Sequence, residues 1–288
     1  MDERASNMDR NRYCFTAMKF AALGLLGWAA IAGPDAQAGG LVAHRAIYDL
    51  KLAEASGRSG IASFDGHMVY EFTGSSCEGY TVNYKFNSRM IARTGTQRNT
   101  DMQTTTFEDP DQRRFDFVIR KNLNPQQTEV TKGFAKGGPT ASSRISMPVE
   151  KTIDLPDGVM FPTEHMVRVI EAARQGERFV EAKIYDGSEK GERVHSASAF
   201  IGPAKPHSQD LGDEPAADLP QLENQDMWPV SIAYFKFGKT VGEVLPDYEM
   251  SFLLYENGVT RRLKMDYGAF VVTGNLRAIE LLETKPCQ

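Results

Sequence analysis

The sequence predicts an antiparallel, mostly-β protein on three observations: apolar residues recur at every second position, turn-forming pairs separate those runs, and a single segment carries a helical period. Tyr80, Val82, Tyr84 and Phe86 alternate with polar residues, as do Phe115, Phe117 and Ile119, the pattern of strands with one buried face. Runs of this kind place strands near 43–55, 61–73, 79–92, 97–107, 113–121, 127–134, 143–154, 178–186, 193–201, 229–237, 247–256, 259–267 and 269–282. Asp65-Gly66, Gly137-Gly138-Pro139 and Asp186-Gly187 supply turn signals, and Asn257-Gly258 is the strongest hairpin signal, because both residues tolerate positive φ.

The helical segment spans 163–175. Met166, Val169, Ile170 and Ala173 fall at i, i+3, i+4 and i+7, with Thr163 as a candidate cap and Gly176 as a stop. In an antiparallel β-protein a lone amphipathic helix covers an open core, so this one is expected to act as a plug or lid. His165, in its first turn, would then stand near any ligand, with Met166 and Ile170 as lid residues.

Between Gly202 and Met227 the period is lost. Pro203, Pro206, Pro215 and Pro220 accompany six acidic residues, so 203–226 is expected to be a flexible acidic surface loop. No internal repeat is present, and 39–288 reads as one domain.

The first 38 residues read as a signal peptide. Arg4, Arg10, Arg12 and Lys19 form a basic region before the apolar run Phe20 to Gly33, and Ala36-Gln37-Ala38 is a small-x-small cleavage pattern. The run is shorter than the roughly 20 residues a membrane-spanning helix needs. Export to an oxidising compartment with cleavage after about Ala38 is expected; Met8 or Met18 could each be the true start, although a start at Met18 would leave only Lys19 in the basic region. Cys14 leaves with the signal, so Cys77 and Cys287 remain, an even count that reads as one disulfide. That bond would bring the first and last strands together.

The formal net charge is −5, and the signal segment, with four bases and four acids, does not alter it. Such a chain has no electrostatic claim on nucleic acid. It contains no Gly-x-Ser-x-Gly elbow, His-Glu-x-x-His, phosphate loop or dinucleotide fingerprint. His44, His67, His165, His195 and His207 are too dispersed for a ligand pair, so neither metal nor cofactor is expected. Asp186-Gly187-Ser188-Glu189 lacks the further oxygens of a calcium loop and reads as a turn. The alternating aromatics Phe64, Tyr70, Phe72, Tyr80, Tyr84, Phe86, Phe115 and Phe117 form either a plain core or the wall of an apolar cavity within a curved sheet.

Several motifs carry a family resemblance. Ala43-His44-Arg45-Ala46-Ile47-Tyr48-Asp49-Leu50 is followed by Phe72-Thr73-Gly74-Ser75-Ser76-Cys77-Glu78-Gly79-Tyr80. Phe161-Pro162-Thr163-Glu164-His165, Tyr185-Asp186-Gly187-Ser188 and Leu281-Leu282-Glu283-Thr284-Lys285-Pro286-Cys287 extend the match over nearly the whole mature chain. The sequence resembles the EipB family of periplasmic cell-envelope-integrity proteins, with 203–226 outside the shared pattern. The resemblance implies a long antiparallel sheet wound into a spiral or bowl, one helix against it and a disulfide tying the terminal regions. It also implies support of envelope integrity in Gram-negative bacteria, without an assigned enzymatic activity, and a periplasmic tetratricopeptide-repeat partner; with the catalytic motifs missing, the leading expectation is a non-catalytic periplasmic binding or scaffold protein. A bowl similar in outline to lipoprotein carriers makes transport of a lipid or acyl chain the alternative. A hydrolase with a dispersed site is the remaining expectation.

Overall fold

The computed structural model describes residues 40–284 and Cys287, apart from 112, 125, 210, 211, 213, 215–219, 221 and 239–244, and gives only the backbone of 126–128 and 209. The signal-peptide reading falls on 1–38, outside the described residues.

Among the described residues, sixteen strands form one sheet in the order β8-β7-β6-β5-β4-β3-β2-β1-β16-β15-β14-β13-β11-β10-β9, with β12 (Lys205–Pro206) paired to β13. The first half is a meander of β1 (His44–Ala55), β2 (Ile61–Ser75), β3 (Gly79–Ala92), β4 (Gln97–Glu108), β5 (Arg114–Leu123), β6 (Gln126–Lys136), β7 (Ser142–Met147) and β8 (Lys151–Asp154). β9 (Val159–Met160) leads through helix α1 (Pro162–Arg174) to β10 (Phe179–Ile184) and β11 (His195–Ile201). β13 (Asp226–Lys236), β14 (Tyr248–Tyr255), β15 (Thr260–Asp266) and β16 (Phe270–Leu281) complete the sheet.

The expected antiparallel architecture holds with one exception: β9 and β10 run parallel. A parallel return needs a crossover, and α1 provides it, making β9-α1-β10 a βαβ unit within an antiparallel meander. The strand expected over 143–154 is two strands, β7 and β8, separated at Pro148, whose nitrogen has no hydrogen to donate to a ladder. Asp65-Gly66 lies inside β2 rather than in a turn, whereas Asn257-Gly258 does turn β14 into β15.

Alternation sorts the residues by face. Tyr70, Tyr84, Thr104 and Ile119 occupy one cross-strand row, and their neighbours Glu71, Asn83, Thr105 and Val118 occupy the opposite face. The aromatic face points inward. Against the second half of the sheet, α1 buries Val169, Ile170, Ala172 and Ala173 among Val180, Ile184, Ala197, Ala199, Val230, Ile232 and Leu254.

Two junctions shape the sheet. In the middle of the strand order β1 and β16 pair antiparallel, so the two terminal strands do lie side by side. Cys77, in the turn between β2 and β3, is bonded to Cys287, with Cα atoms 5.8 Å apart, inside the usual range. The cross-link therefore spans β1, which lies between the two strands it joins. The second junction is at the sheet edges: residues 155–158 carry the chain from β8 at one edge to β9 at the other. Leu155, Val159, Phe161 and Tyr185 fill this seam by packing on Phe115, Phe117, Ala135 and Ala141.

The acidic stretch is anchored where it is described. His207 and Glu214 are buried, as is Leu222. The Glu214 carboxylate accepts from Arg261 Nε at 2.7 Å and from the Leu276 amide at 2.8 Å, and Arg261 donates to the Tyr255 hydroxyl at 2.8 Å. The charges of Glu214 and Arg261 are almost wholly removed from solvent, so each depends on the other for compensation. Composition alone gave no sign of these contacts.

Candidate functional site: the interior cavity

The inward rows of β2 to β5 enclose a cavity of about 860 Å³, within the roughly 300–1,000 Å³ of small-molecule sites. Tyr70, Val82, Tyr84, Met102 and Ile119 form one wall, and Met166 of α1 and Met250 of β14 face them. Burial pushes the hydroxyls of Tyr70 and Tyr84 well above the usual phenol range, keeping them neutral. Thr104, Thr106, Pro162 and Thr163 also line the cavity, together with Lys121, Glu129, Asp186, Ser188, Glu189 and Lys190, of which Lys121, Glu189 and Lys190 are exposed to solvent. The cavity is thus lined mainly by apolar and aromatic side chains with threonines among them, and carries charged groups that reach solvent.

Helix α1 is placed over this space by a cap from another strand. The N-cap position is held by Phe161, with extended backbone, and Pro162 is N1. Phenylalanine has no side-chain acceptor, so Thr163, at N2, is not the cap that the sequence suggested. Glu164 supplies half of a capping box, accepting from the Phe161 amide at 3.3 Å. The other half comes from Glu108 on β4, whose carboxylate accepts the amides of Thr163 at 2.7 Å and Glu164 at 3.1 Å. A carboxylate on a helix N-terminus meets both the unpaired amides and the positive end of the dipole. Glu108 is only 2% exposed, and that burial raises its pKa to about 6 despite the opposing amide bonds. At the other end the amides of Gly176 and Glu177 bond to the carbonyls of Ala173 and Ala172, a Schellman closure at the glycine where the sequence placed the stop.

The three lid residues separate in the structure. Met166 lines the cavity. Ile170 is 3% exposed and belongs to the packed layer beneath α1. His165 is buried, is not among the cavity-lining residues, and its Nε2 has no hydrogen-bond partner among the described residues. Burial lowers its pKa to about 4, so it stays neutral at physiological pH.

The far side of the mouth is an unusual turn between β10 and β11. Gly187 (φ 73°), Glu189 (φ 51°), Lys190 (φ 63°) and Gly191 (φ 74°) all have left-handed backbones. For Glu189 and Lys190 this conformation costs about 1–2 kcal/mol each. Glycine is required at Gly187, because a Cβ there would stand 2.6 Å from the Phe117 ring, whereas one on Gly191 would meet the Ile145 side chain at a tight 3.0 Å. Tyr185 secures the turn, its hydroxyl donating to the Gly191 carbonyl at 2.8 Å and meeting Ser143 Oγ of β7 at 2.6 Å. Sequence reading saw a turn at Asp186-Gly187 but not its handedness, which depends on contacts with β5 and β7.

Near the turn, Ser188 Oγ lies 3.5 Å from His195 Nε2, and His195 Nδ1 has no partner among the described residues.

These features define a class: a β-barrel-like protein with one crossover helix, a disulfide beside its terminal strands and an interior cavity of ligand size. A solved structure described as a β-barrel-like protein of a domain of unknown function, from Brucella abortus, superposes with a TM-score of 0.78 at 39% identity, covering 85% of this chain and 100% of that one. The chain belongs to the EipB-like family, whose model matches residues 35–283. It is 40% identical over 261 residues to the cell envelope integrity protein EipB of Brucella abortus, covering 89% of this chain and 91% of that protein.

Proposed function

We propose that this chain is an exported periplasmic protein that supports envelope integrity by binding rather than by catalysis. In this reading it holds an apolar ligand in its bowl and engages a protein partner, for which the family resemblance suggests a tetratricopeptide-repeat protein. The observation that carries the reading is the interior: a packed core would favour a scaffold alone, whereas a lined cavity of about 860 Å³ favours a ligand such as a lipid or acyl chain. The Cys77–Cys287 bond supports export, because disulfides persist in oxidising compartments.

The test uses Met166, the lid residue that faces the cavity. Met166 is half-buried at the edge of the packed layer beneath α1 and also lines the cavity, so Met166→Lys places a charge among apolar walls and should lower the melting temperature without unfolding the protein, its long side chain reaching toward the open side. In a strain lacking the native gene it should fail to restore detergent resistance. Ile170→Lys, by contrast, buries a charge beneath α1 and should unfold the protein. Full complementation by folded Met166→Lys would remove the cavity from the function, and unchanged detergent resistance on deletion would remove the envelope role itself.

A further inference from the structure

The outer face of β2 to β5 holds a second hollow, a groove of about 480 Å³. Two neighbouring cross-strand rows line it. In one, His67, Asn87, Asp101 and Asn122 stand directly opposite one another; in the other, Asp65, Arg89 and Asn99 do, with Asn124 bonded to Asn99 beyond them. Gly66, Ser88 and Thr100 complete the lining, so no apolar residue takes part. Polar residues belong on an outer sheet face, but asparagine is depleted in strands, and Asn87, Asn99 and Asn122 all sit within them. Local choices that go against the fold collect at functional sites. Much of the groove's hydrogen-bonding capacity is also unused. Asn87 is exposed, and its side-chain amide makes no hydrogen bond among the described residues. Gln97 Nε2 and the Asn99 backbone amide donate, both at 2.9 Å, to Oδ1 of Asn99 and Oδ1 of Asn124, which leaves Nδ2 of each as a donor. Both bonds to Asp101, from Asn122 at 3.4 Å and Gln103 at 3.5 Å, fall on Oδ1, so Oδ2 remains an acceptor.

We propose that this groove binds an uncharged glycan. Each of β2, β3, β4 and β5 has a paired strand on both sides, so no free backbone edge offers a ladder to a peptide. Without apolar lining, an acyl chain or hydrophobic anchor gains nothing here. Arg89 engages Asp65 at 3.2 Å and Asp49 meets His67 at 2.8 Å, so among the described residues Asp101 is the one lining carboxylate outside an ion pair. A lone carboxylate repels anions, and it falls well short of the several oxygens that a hard cation takes. A saccharide fits what remains: neighbouring hydroxyls donate together to a carboxylate, and primary amides both donate to and accept from hydroxyls. The rows of the groove lie on the opposite face of the sheet from Tyr70 and Tyr84, so this site is independent of the bowl reading.

The test follows the asparagine side-chain amide signals of the isotope-labelled, disulfide-bonded protein by NMR during titration with three probes: chitotetraose, maltotetraose, and tetragalacturonate as an anionic saccharide of equal length. The signals of Asn87, Asn99 and Asn122 should shift saturably with a neutral tetrasaccharide, with a dissociation constant on the order of 1 mM, and tetragalacturonate should bind about tenfold or more weakly. A response to either neutral probe supports the site; the stronger one assigns its source, chitotetraose to an N-acetylated glycan such as the peptidoglycan backbone and maltotetraose to a neutral hexose chain. Asn87→Ala removes an exposed side chain that has no hydrogen-bond partner, so it should weaken binding about fivefold with an unchanged melting temperature, and Asp101→Ala should weaken it about tenfold. Met166→Lys, in the cavity, should leave glycan affinity unchanged. No saturable shift with either neutral tetrasaccharide, binding of tetragalacturonate as tight as theirs, or an affinity that survives Asn87→Ala and Asp101→Ala would overturn the glycan site while leaving the bowl reading intact. Loss of glycan binding in folded Met166→Lys would also overturn it, by moving the ligand to the bowl.

Discussion

Where the two chain ends meet, β1 and β16 run antiparallel as twelve-residue strands with a disulfide beside them; where the two sheet edges meet, no ladder joins β8 to β9. The first closure is made of backbone hydrogen bonds and a covalent bond. The second is made of side chains, with Phe115, Phe117, Phe161 and Tyr185 packed in the gap and a left-handed turn lying across it. The difference teaches where this sheet can yield. Regions held by ladders open with the whole fold, whereas regions held by a few packed side chains open locally at lower cost. The yielding side is the one that borders the cavity mouth.

The largest effect should come from the covalent closure. The disulfide joins residues 210 apart, and a loop of that length restricts the unfolded chain by about 5 kcal/mol in the entropic account. Against a total of roughly 5–15 kcal/mol, Cys77→Ser or Cys287→Ser should lower the denaturant midpoint sharply, as should reduction of the native protein. An unchanged midpoint would mean that the β1 and β16 ladder suffices alone.

The seam should respond next. Phe115 is fully buried and stacks on Phe161 with ring centroids 5.1 Å apart, so Phe115→Ala should cost about 3–5 kcal/mol. Hydrogen exchange would sharpen the comparison: the variant should speed exchange in β7 to β10 and leave β1 and β16 slow. Uniform acceleration would show that the two closures are one cooperative unit.

A smaller effect lies in the pH dependence of the lid. Glu108 has its folded pKa raised from 4.5 to about 6, so it contributes stability that is complete below 4.5 and lost as pH rises through 6. His165 has its folded pKa lowered from 6.5 to about 4, so its contribution is complete above 6.5 and lost as pH falls through 4. The two amount to about 2 and about 3 kcal/mol, with opposite signs, and oppose each other between pH 4.5 and 6. Relative to the native protein, His165→Gln should gain about 2–3 kcal/mol on acidification from pH 6.5 to 4, and Glu108→Gln should lose about 1 kcal/mol on acidification from pH 6 to 4.5. Parallel stability curves for all three proteins would refute the opposition.

Legibility in the sequence followed the range of the interaction that decides each element. Alternation over Tyr80 to Phe86 and Phe115 to Ile119 exposed the strands and their inward face, because each strand's own residues carry that signal. The pairing of Cys77 with Cys287 was legible because only two cysteines lie beyond residue 38. The two-residue strands β9 and β12 are too short to show a period. The cap on α1 was missed because Glu108 lies 55 residues before Thr163 in sequence. Likewise, nothing near Glu214 announces Arg261, 47 residues away. For the site, Met166 was legible as a lid residue, but the separation of Met166 from His165 and Ile170 depends on how the helix is rotated over the sheet.

The central claim, that the bowl is occupied in the envelope, is tested most directly by native mass spectrometry of the protein purified from periplasm under oxidising conditions. The account predicts a bound amphiphile of discrete mass on the native protein and its loss from a folded Met166→Lys variant. A native protein that carries no adduct, or a variant that carries the same one, would contradict it.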